Sequence, residues 1–327
     1  LILVFIAVPT VRTIFVTQDE KPVPGAVNVR VLAHQWWWEF HYPDHDVVTA
    51  NELVVPVGRP TSFRLEAADV IHSFWIPQLG GKRDAIPLHE NQLSFTPDSA
   101  GVYLGQCAEF CGTAHALMGF RLRAVPQAEF EEWLRHQAAP AVGAAPAPDA
   151  AGGAPGAGGG SAAAGEGGGA EAGTAEGQAA APGRQAIAEE AAEMTAAGQA
   201  VDTVAGRDPG AARVPTPGLP EEAAEPGALA GGAGQGGAAR GAQLFQRSAC
   251  IACHTVRGTN AQGKLGPDLT HVASRTRIAA ELLPNTPEAL ARWLADPPAV
   301  KPGAKMPKLN LPDDQIADLV AYLRTLE

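Results

Sequence analysis

The sequence predicts a chain of several parts: an all-β segment, a long segment without a core, and an all-α segment. Short runs of alternating apolar and polar residues, separated by Gly and Pro, fill residues 18–138 and are typical of strands. Residues 139–238 are mostly Ala, Gly and Pro, with too few large apolar side chains to offset the entropy of ordering them. Residues 239–327 show helical periodicity. We therefore expect two globular domains joined by a disordered linker.

Composition and charge exclude several classes of protein. The 327 residues include 35 Asp and Glu against 24 Lys and Arg, so nucleic acid is not expected as a partner. Only 4 Cys are present, which excludes a scaffold built on disulfides. Residues 1–138 hold 10 basic and 15 acidic side chains, whereas residues 239–327 hold 11 basic and 8 acidic ones. We expect the acidic and basic domains to attract each other and to dock transiently.

The chain begins with eight apolar residues, LILVFIAV. A membrane-spanning helix needs about 20 apolar residues, so we interpret residues 1–17 as the end of a transmembrane helix that starts before this sequence. A secretory signal peptide is the alternative, but no basic region precedes the apolar run.

The strands and helices are predicted in order from local pattern. Alternation indicates a strand at 27–34, and further strand candidates are 52–57, 61–65, 92–95, 102–106 and 118–125, as in an antiparallel sandwich or barrel. A helix is predicted to start at Pro126, because Pro is favoured in the first turn and acidic residues follow it. In the last domain, helical patterns cover 241–248, 286–295 and 313–326.

A dense cluster of metal-binding side chains lies in the run CAEFCGTAHALM. Cys107, Cys111, His115 and Met118 fall between two predicted strands, and His72 offers a second imidazole. Thiolate and thioether are soft ligands, and together with imidazole they suit copper. Zinc is the main alternative, although it rarely takes a weak axial Met. The other alternative is a buried pair of free cysteines beside a core Met.

A second motif, CIACH at 250–254, has the spacing by which c-type haem is attached. Cys250 and Cys253 would add to the haem vinyl groups, and His254 would bind the iron. A chance match and a redox dithiol are the alternatives. The run GKLGPDL from Gly263 and the run GAKMP, which contains Met306, resemble the proximal and axial-Met loops of small c-type cytochromes.

Two other side chains in this domain are less informative. We expect His271 to lie on the surface, and Trp293 either to pack in the core or to lie near a haem propionate.

The first domain resembles the copper-A domain of subunit II of the haem–copper cytochrome c oxidases. The resemblance extends from residue 34 to residue 132, on the stretches HQWWW, VIHSFWIP, KRDAIP and GQCAEFCGTAHALM. It implies a cupredoxin-like Greek-key barrel that holds a dinuclear copper-A centre. Cys107 and Cys111 would bridge both copper ions, and His72 and His115 would bind one each. Met118 would be a weak axial ligand.

The resemblance also implies roles for residues near the copper centre. The backbone carbonyl of Glu109 would be the other axial ligand, and its side chain would help to bind Mg²⁺ at the interface with subunit I. Trp36 matches the tryptophan through which electrons enter. Lys82 and Asp84 match polar residues at the subunit interface. The family usually has Gly-Arg after Ala-Ile-Pro, where this chain has Leu88 and His89.

Together the two domains resemble subunit II of cytochrome c-fused oxidases. The resemblance implies an electron-input subunit that passes electrons from haem c to copper-A and on to haem a of subunit I, where oxygen is reduced and protons are pumped. Expected partners are subunits I and III and an external donor such as a cytochrome c, with both domains on the periplasmic face of a bacterial plasma membrane. The alternatives are the input subunit of a copper-A nitric oxide reductase and a non-enzymatic copper or electron carrier.

Overall fold

The computed structural model describes residues 2–17, 23–141, 143 and 235–327. It starts with helix α1 (Ile2–Thr17), whose large apolar side chains from Ile2 to Phe15 are exposed. Among the described helices, none is long and apolar enough to cross a membrane. The predicted transmembrane end at 1–17 therefore stays a prediction, and the predicted disorder of 139–238 falls mainly outside the described residues.

The first domain consists of two five-stranded sheets. One sheet has the strand order β3-β2-β1-β5-β8 and the other has the order β4-β10-β9-β6-β7. The strands are β1 (Val27–His34), β2 (Trp37–Tyr42), β3 (Val47–Ala50), β4 (Glu52–Pro56), β5 (Thr61–Ala67), β6 (His72–Trp75), β7 (Arg83–Ala85), β8 (Asn91–Phe95), β9 (Gly101–Cys107) and β10 (Gly119–Val125). All six predicted strands are confirmed, and β2, β3, β6 and β7 were not predicted.

The strand directions differ from the antiparallel expectation in two places. β1 pairs with β5 in parallel, and β10 pairs with β4 in parallel, whereas every other ladder of this domain is antiparallel. Both parallel pairs join strands that are distant in the sequence. Alternation of apolar residues shows which side of a strand is buried but carries no information on the direction of its neighbour.

The core of the first domain is an aromatic cluster to which both sheets contribute. Trp38 of β2 lies with its ring centroid 5.6 Å from that of Phe74 and 5.3 Å from that of Phe120. Phe74 and Phe120 are stacked at 4.7 Å, and all three side chains are fully buried. Helix α2 (Gln127–Ala138), which was predicted, adds Phe130 to this core.

Gly105 of β9 lies directly over this aromatic core. A Cβ atom there would be 2.1 Å from Cζ of Phe120, so Gly105→Ala should force the ring or the strand to move. We expect a loss of about 1–3 kcal/mol in the free energy of unfolding, as is usual for overpacking. Denaturant unfolding followed by tryptophan fluorescence measures it. Gly101→Ala in the same strand is the control, since its Cβ would meet only Tyr103, at 3.9 Å; equal losses in both variants would contradict the prediction.

The second domain is mainly helical. Its helices are α3 (Gln235–Arg247), α4 (Cys250–Cys253), α5 (Pro287–Ala295), α6 (Pro297–Val300) and α7 (Asp313–Leu323). The first and last helices pack together, with the ring centroids of Phe245 and Tyr322 5.6 Å apart. Helix α3 begins at Gln235, four residues before the predicted start of the domain.

The second domain also contains a short antiparallel hairpin of β11 (Arg277–Ile278) and β12 (Leu283–Pro284). The prediction that this domain is all-α is wrong in this detail. Two-residue strands are too short to show the alternation by which a strand is found in a sequence.

Candidate functional site

The predicted copper ligands come together at one end of the first domain. Cys107 is the last residue of β9, His72 is the first residue of β6, and the loop between β9 and β10 carries the others. Cys107 Sγ lies 3.7 Å from Cys111 Sγ and 3.8 Å from His72 Nδ1. Cys111 Sγ lies 3.6 Å from His115 Nδ1 and 3.8 Å from Met118 Sδ. Five soft or imidazole ligand atoms therefore surround one small volume.

The backbone of Glu109 lies at the ligand cluster, whereas its side chain lies at the surface. Its backbone oxygen lies 3.2 Å from Cys107 Sγ, where a carbonyl could serve as a weak axial ligand. Its side chain is exposed, and so is the neighbouring Phe110. The magnesium role of the Glu109 carboxylate therefore stays a prediction.

The two thiols behave as one acidic pair. The hydrogen bond with Cys111 lowers the pKa of Cys107, against the opposing effect of burial, and the same contact raises the pKa of Cys111. The pair therefore keeps one proton unless a cation lies between the sulfur atoms, because the first thiolate opposes ionisation of the second. A pair of copper ions would replace that proton and neutralise both thiolates, so these residues fit the group that the motif predicts.

Asp69, which was not predicted as a site residue, orients His72. His72 Nε2 donates to Asp69 Oδ1 at 2.8 Å, so Nδ1 is the nitrogen that faces the thiols. Burial opposes ionisation of Asp69, but this bond and the N–H groups of Gln35 and Val70 lower its pKa to about 2. A carboxylate behind a ligating imidazole fixes its tautomer and orientation. The only sequence signal was its position three residues before His72.

Trp36 lies against the copper-ligand loop. Its Nε1 donates to the backbone oxygen of Cys111 at 3.0 Å, and Gln35 Nε2 donates to the same oxygen at 2.8 Å. The indole packs so closely on Gly112 that a Cβ atom there would be 3.0 Å from Cζ2 of Trp36. Gly112 has a φ of 113°, which a residue with a side chain rarely adopts. The neighbouring Trp38 is a core residue.

The haem motif forms helix α4, with both thiols on a short turn and His254 directly after it. His254 Nδ1 donates to the oxygen of Pro267 at 2.8 Å, which leaves Nε2 as the nitrogen that can bind iron. A Cβ atom on Gly266 would lie 2.7 Å from Cε1 of His254, so the GKLGPDL run packs closely on the imidazole. Burial lowers the pKa of His254, which favours the neutral ligand form. These residues fit a covalently attached haem.

Three other predicted positions of the second domain have different outcomes. Met306 and Trp293 are half-buried and pack against the domain core. The expectation that His271 lies on the surface is wrong, because its side chain is buried. His271 Nε2 donates to the oxygen of Ala139 at 3.0 Å, and its ring centroid is 4.9 Å from that of His136. The sequence could not show this contact, because the partners lie in a different segment of the chain.

Comparisons with known proteins identify both domains. Residues 46–125 match the family described as cytochrome c oxidase subunit II, periplasmic domain, and residues 238–327 match the cytochrome c family. Cytochrome c oxidase subunit 2 of Alkalihalophilus pseudofirmus is 30% identical over 100% of this chain and 70% of its own length. The subunit 2 of Bacillus sp. strain PS3 is also 30% identical, over 100% of this chain and 71% of its own length.

A solved structure is also similar to part of the chain. The periplasmic domain of subunit II of cytochrome oxidase from Bradyrhizobium japonicum is 34% identical and covers 36% of this chain and 96% of its own, with a TM-score of 0.34. The matches to both families and to the two full-length relatives agree with the two sites described above. The chain therefore belongs to the cytochrome c oxidase subunit 2 family and is a fusion of a subunit II periplasmic domain with a cytochrome c domain.

Proposed function

We propose that the chain is the electron-input subunit of a respiratory haem–copper oxidase. Haem c and copper-A, when bound, carry electrons from an external donor to haem a of subunit I, where oxygen is reduced to water with proton pumping. The observation that carries the proposal is that both ligand sets lie in one chain, with Trp36 between the segments that hold them.

The copper-A ligands in this proposal are the side chains of the first cluster. Cys107 and Cys111 would hold both copper ions, His72 and His115 would each provide an imidazole, and Met118 would add a weak thioether ligand. Neighbouring ligand atoms in the cluster lie 3.6–3.8 Å apart. Strands β6, β9 and β10 hold the cluster, so the ligands need little movement when the charge of the metal pair changes.

The haem ligands are those of the second motif. Cys250 and Cys253 would hold the haem covalently, and His254 and Met306 would be the ligands of its iron. A Met/His ligand pair raises the reduction potential of haem iron. Iron that donates electrons to copper needs to be only moderately reducing, so a raised potential suits this role. The side chain of Met306 is half-buried against the domain core, where a thioether can be kept from water.

Trp36 is the side chain that links the two segments. One edge of its indole bonds to the backbone of Cys111, and the other edge faces Gly303, where a Cβ atom would lie 3.1 Å from Cζ3 of Trp36. Gly303 is three residues before Met306 and has a φ of 90°. This continuous contact supports Trp36 as the residue through which electrons enter the copper domain.

The remaining parts of the proposal concern the assembly. Subunit I is the partner that accepts electrons, subunit III is a further partner, and Mg²⁺ is bound with the help of Glu109 at the interface with subunit I. Ile71, Leu88 and Phe110 are exposed large apolar side chains of the copper domain, which is consistent with a surface that another subunit covers. We place both domains on the periplasmic face of a bacterial plasma membrane.

Metal and haem content is the first check of this proposal. We expect two copper ions and one covalent haem per chain, because the chain offers one Cys/His/Met cluster and one CIACH motif. Copper analysis gives the first number, and a haem stain after denaturing electrophoresis gives the second. One copper ion per chain, or haem that is lost on denaturation, would contradict the paired sites.

Gas uptake by the assembled complex identifies the terminal electron acceptor. We expect the purified complex with subunit I to consume oxygen when it receives electrons from a soluble c-type cytochrome. Nitric oxide uptake without oxygen uptake would favour the alternative reductase. Electron acceptance without uptake of either gas would favour a carrier.

A further inference from the structure

The hairpin of the cytochrome domain contains an unusual backbone segment. Between its two strands, Ala279, Ala280 and Glu281 have φ values of 55°, 60° and 72°. Residues with a side chain are unfavourable in this left-handed region, and three in succession are rare. Contacts outside the segment must therefore hold it in place. We call residues 277–284 the docking hairpin.

The apolar contact of the docking hairpin is with the copper domain. Ala280 is buried together with Trp37 and Ala50, which lie on the adjacent strands β2 and β3. Beside it, the hairpin approaches the start of β10, where a Cβ atom on Gly119 would lie 3.2 Å from Cβ of Glu281. The left-handed turn is thus the part of the cytochrome domain that inserts against the sheet.

A polar network surrounds this apolar contact. Arg121 Nε donates to the two carboxylate oxygens of Glu281 at 2.9 and 3.0 Å, and Arg121 Nη1 donates to Thr276 Oγ1 at 2.8 Å. Thr276 donates its backbone N–H and its hydroxyl to Glu52 Oε1, each at 2.7 Å. Arg121 and Glu281 are only 16% and 15% exposed, so this pair is shielded from salt much better than a surface pair.

A buried lysine joins the hairpin to the tryptophan of the copper domain. Lys301 Nζ donates to the backbone oxygen of Trp36 at 2.7 Å and to that of Ala279 at 3.3 Å. The residue is 4% exposed, and burial lowers its pKa to about 7. A buried amino group with so little access to water needs both carbonyls as hydrogen-bond acceptors, so Lys301 holds the left-handed turn and Trp36 to each other.

The same contacts place the Met306 loop. Lys301 precedes Gly303, which packs on the Trp36 ring and on Thr113 of the copper-ligand loop. Lys305, next to Met306, lies 3.7 Å from Asp69, the carboxylate that orients His72. The loop that carries the proposed haem ligand therefore lies directly on the proposed copper site.

We propose that the docking hairpin and Lys301 form a latch that holds the cytochrome domain in one pose over Trp36. The proposal rests on the proposed function, and it replaces transient docking driven by net charge with a specific interface built from buried partners. Lys301, Arg121 and Glu281 are then positioning residues, because they act through Trp36 and the Met306 loop and touch no cofactor.

The latch is tested by hydrogen–deuterium exchange on the full chain, comparing wild type with Lys301→Met and with Arg121→Gln. We expect amides of residues 35–38 and 279–283 to be protected in wild type and to exchange at least about tenfold faster in both variants. Loss of one partner of a buried polar pair costs more free energy than a tenfold change in exchange rate requires. Amides of β9 and of α7 should not change, which shows that each variant is folded.

Arg240→Gln is the control for loss of an arginine ion pair elsewhere, because Arg240 makes a more exposed two-bond contact with Asp318 inside the cytochrome domain. Equal exchange at 35–38 and 279–283 in wild type and both variants would overturn the latch, as would an equal effect of Arg240→Gln at these segments. Glu281→Gln added to Arg121→Gln should cost little more than either change alone; additive effects would also count against a shared contact.

Electron transfer supplies a second and independent measurement. In the chain loaded with copper and haem, flash-induced transfer from haem to copper should be insensitive to moderate salt in wild type and should slow in Lys301→Met. A wild-type rate that falls steeply with salt would overturn the latch in favour of transient docking. Protected interface amides in a chain that transfers no electrons would instead reject the proposed function and leave the latch intact.

Discussion

Replacement of Cys111 by Ser is expected to destroy the paired copper site and to leave the haem attached. Cys111 Sγ has contacts with three other ligands, Cys107, His115 and Met118, at 3.6–3.8 Å. A serine hydroxyl is a hard, poorly acidic group that does not bridge two soft metal ions. We expect copper to fall from two ions per chain to one or none, as measured by metal analysis. The hyperfine pattern of an electron shared by two copper nuclei should disappear from the paramagnetic resonance spectrum.

Met118→Leu is the matched control for that change. It removes the proposed weak thioether ligand from a similarly buried position while nearly conserving volume, so both copper ions should stay and only the spectrum and potential should shift. The covalent haem stain should be unaffected in both variants, since Cys250 and Cys253 lie in the other domain. A Cys111→Ser chain that still binds two copper ions with an unchanged spectrum would contradict the bridging role.

The fold was predictable where a single strand or helix carries its own pattern. β1 alternates over eight residues and α2 begins at a Pro followed by acidic residues, so both were found from local sequence. β6 has four residues, the first three of them buried, so it shows no alternation although it carries His72. The three-residue β7 lies at a sheet edge and is too short for a pattern.

The candidate ligands could be predicted where they are close in the sequence. Four of the five proposed copper-ligand side chains lie between Cys107 and Met118, and the proposed haem cysteines and His254 lie within one pentapeptide. These residues can be predicted because the chemistry of the metal restricts the ligand types, and ligands of those types then stand out at a short spacing. Asp69 and Lys301 follow no such spacing. Their importance comes from contacts such as the one between Lys301 and Trp36, 265 residues apart, which only the folded chain reveals.

The relation between the two domains was the least predictable part. Net charge has opposite signs in the two domains, but it predicts only long-range attraction and says nothing about shape. The contacts depend on the left-handed turn at 279–281 and on the glycines that flank Trp36. Ala279, Ala280 and Glu281 are not residue types that favour a left-handed turn, so the sequence contained no signal for the hairpin.

Replacement of Met306 by Ala is expected to leave the haem attached and to lower its potential strongly. The covalent bonds come from Cys250 and Cys253, which are far from residue 306 in the chain, so the haem stain should be unchanged. A thioether favours the reduced state of iron, and its loss should lower the midpoint by a substantial part of the roughly 0.8 V range that axial ligands cover. Redox titration of the full chain followed in the haem absorption bands measures this.

Two comparisons separate ligation from packing at Met306. Leu311 also packs against the core of the cytochrome domain, so Leu311→Ala removes a similar apolar contact without removing a thioether. It should reduce the stability of the domain by a few kcal/mol at most and leave the haem midpoint close to that of wild type. Met306→Ala should in addition let an external ligand such as imidazole bind the iron, because it vacates a coordination position. If Met306→Ala leaves both the midpoint and imidazole binding as in wild type, another residue of the chain is the second axial ligand and Met306 only packs the loop against the core.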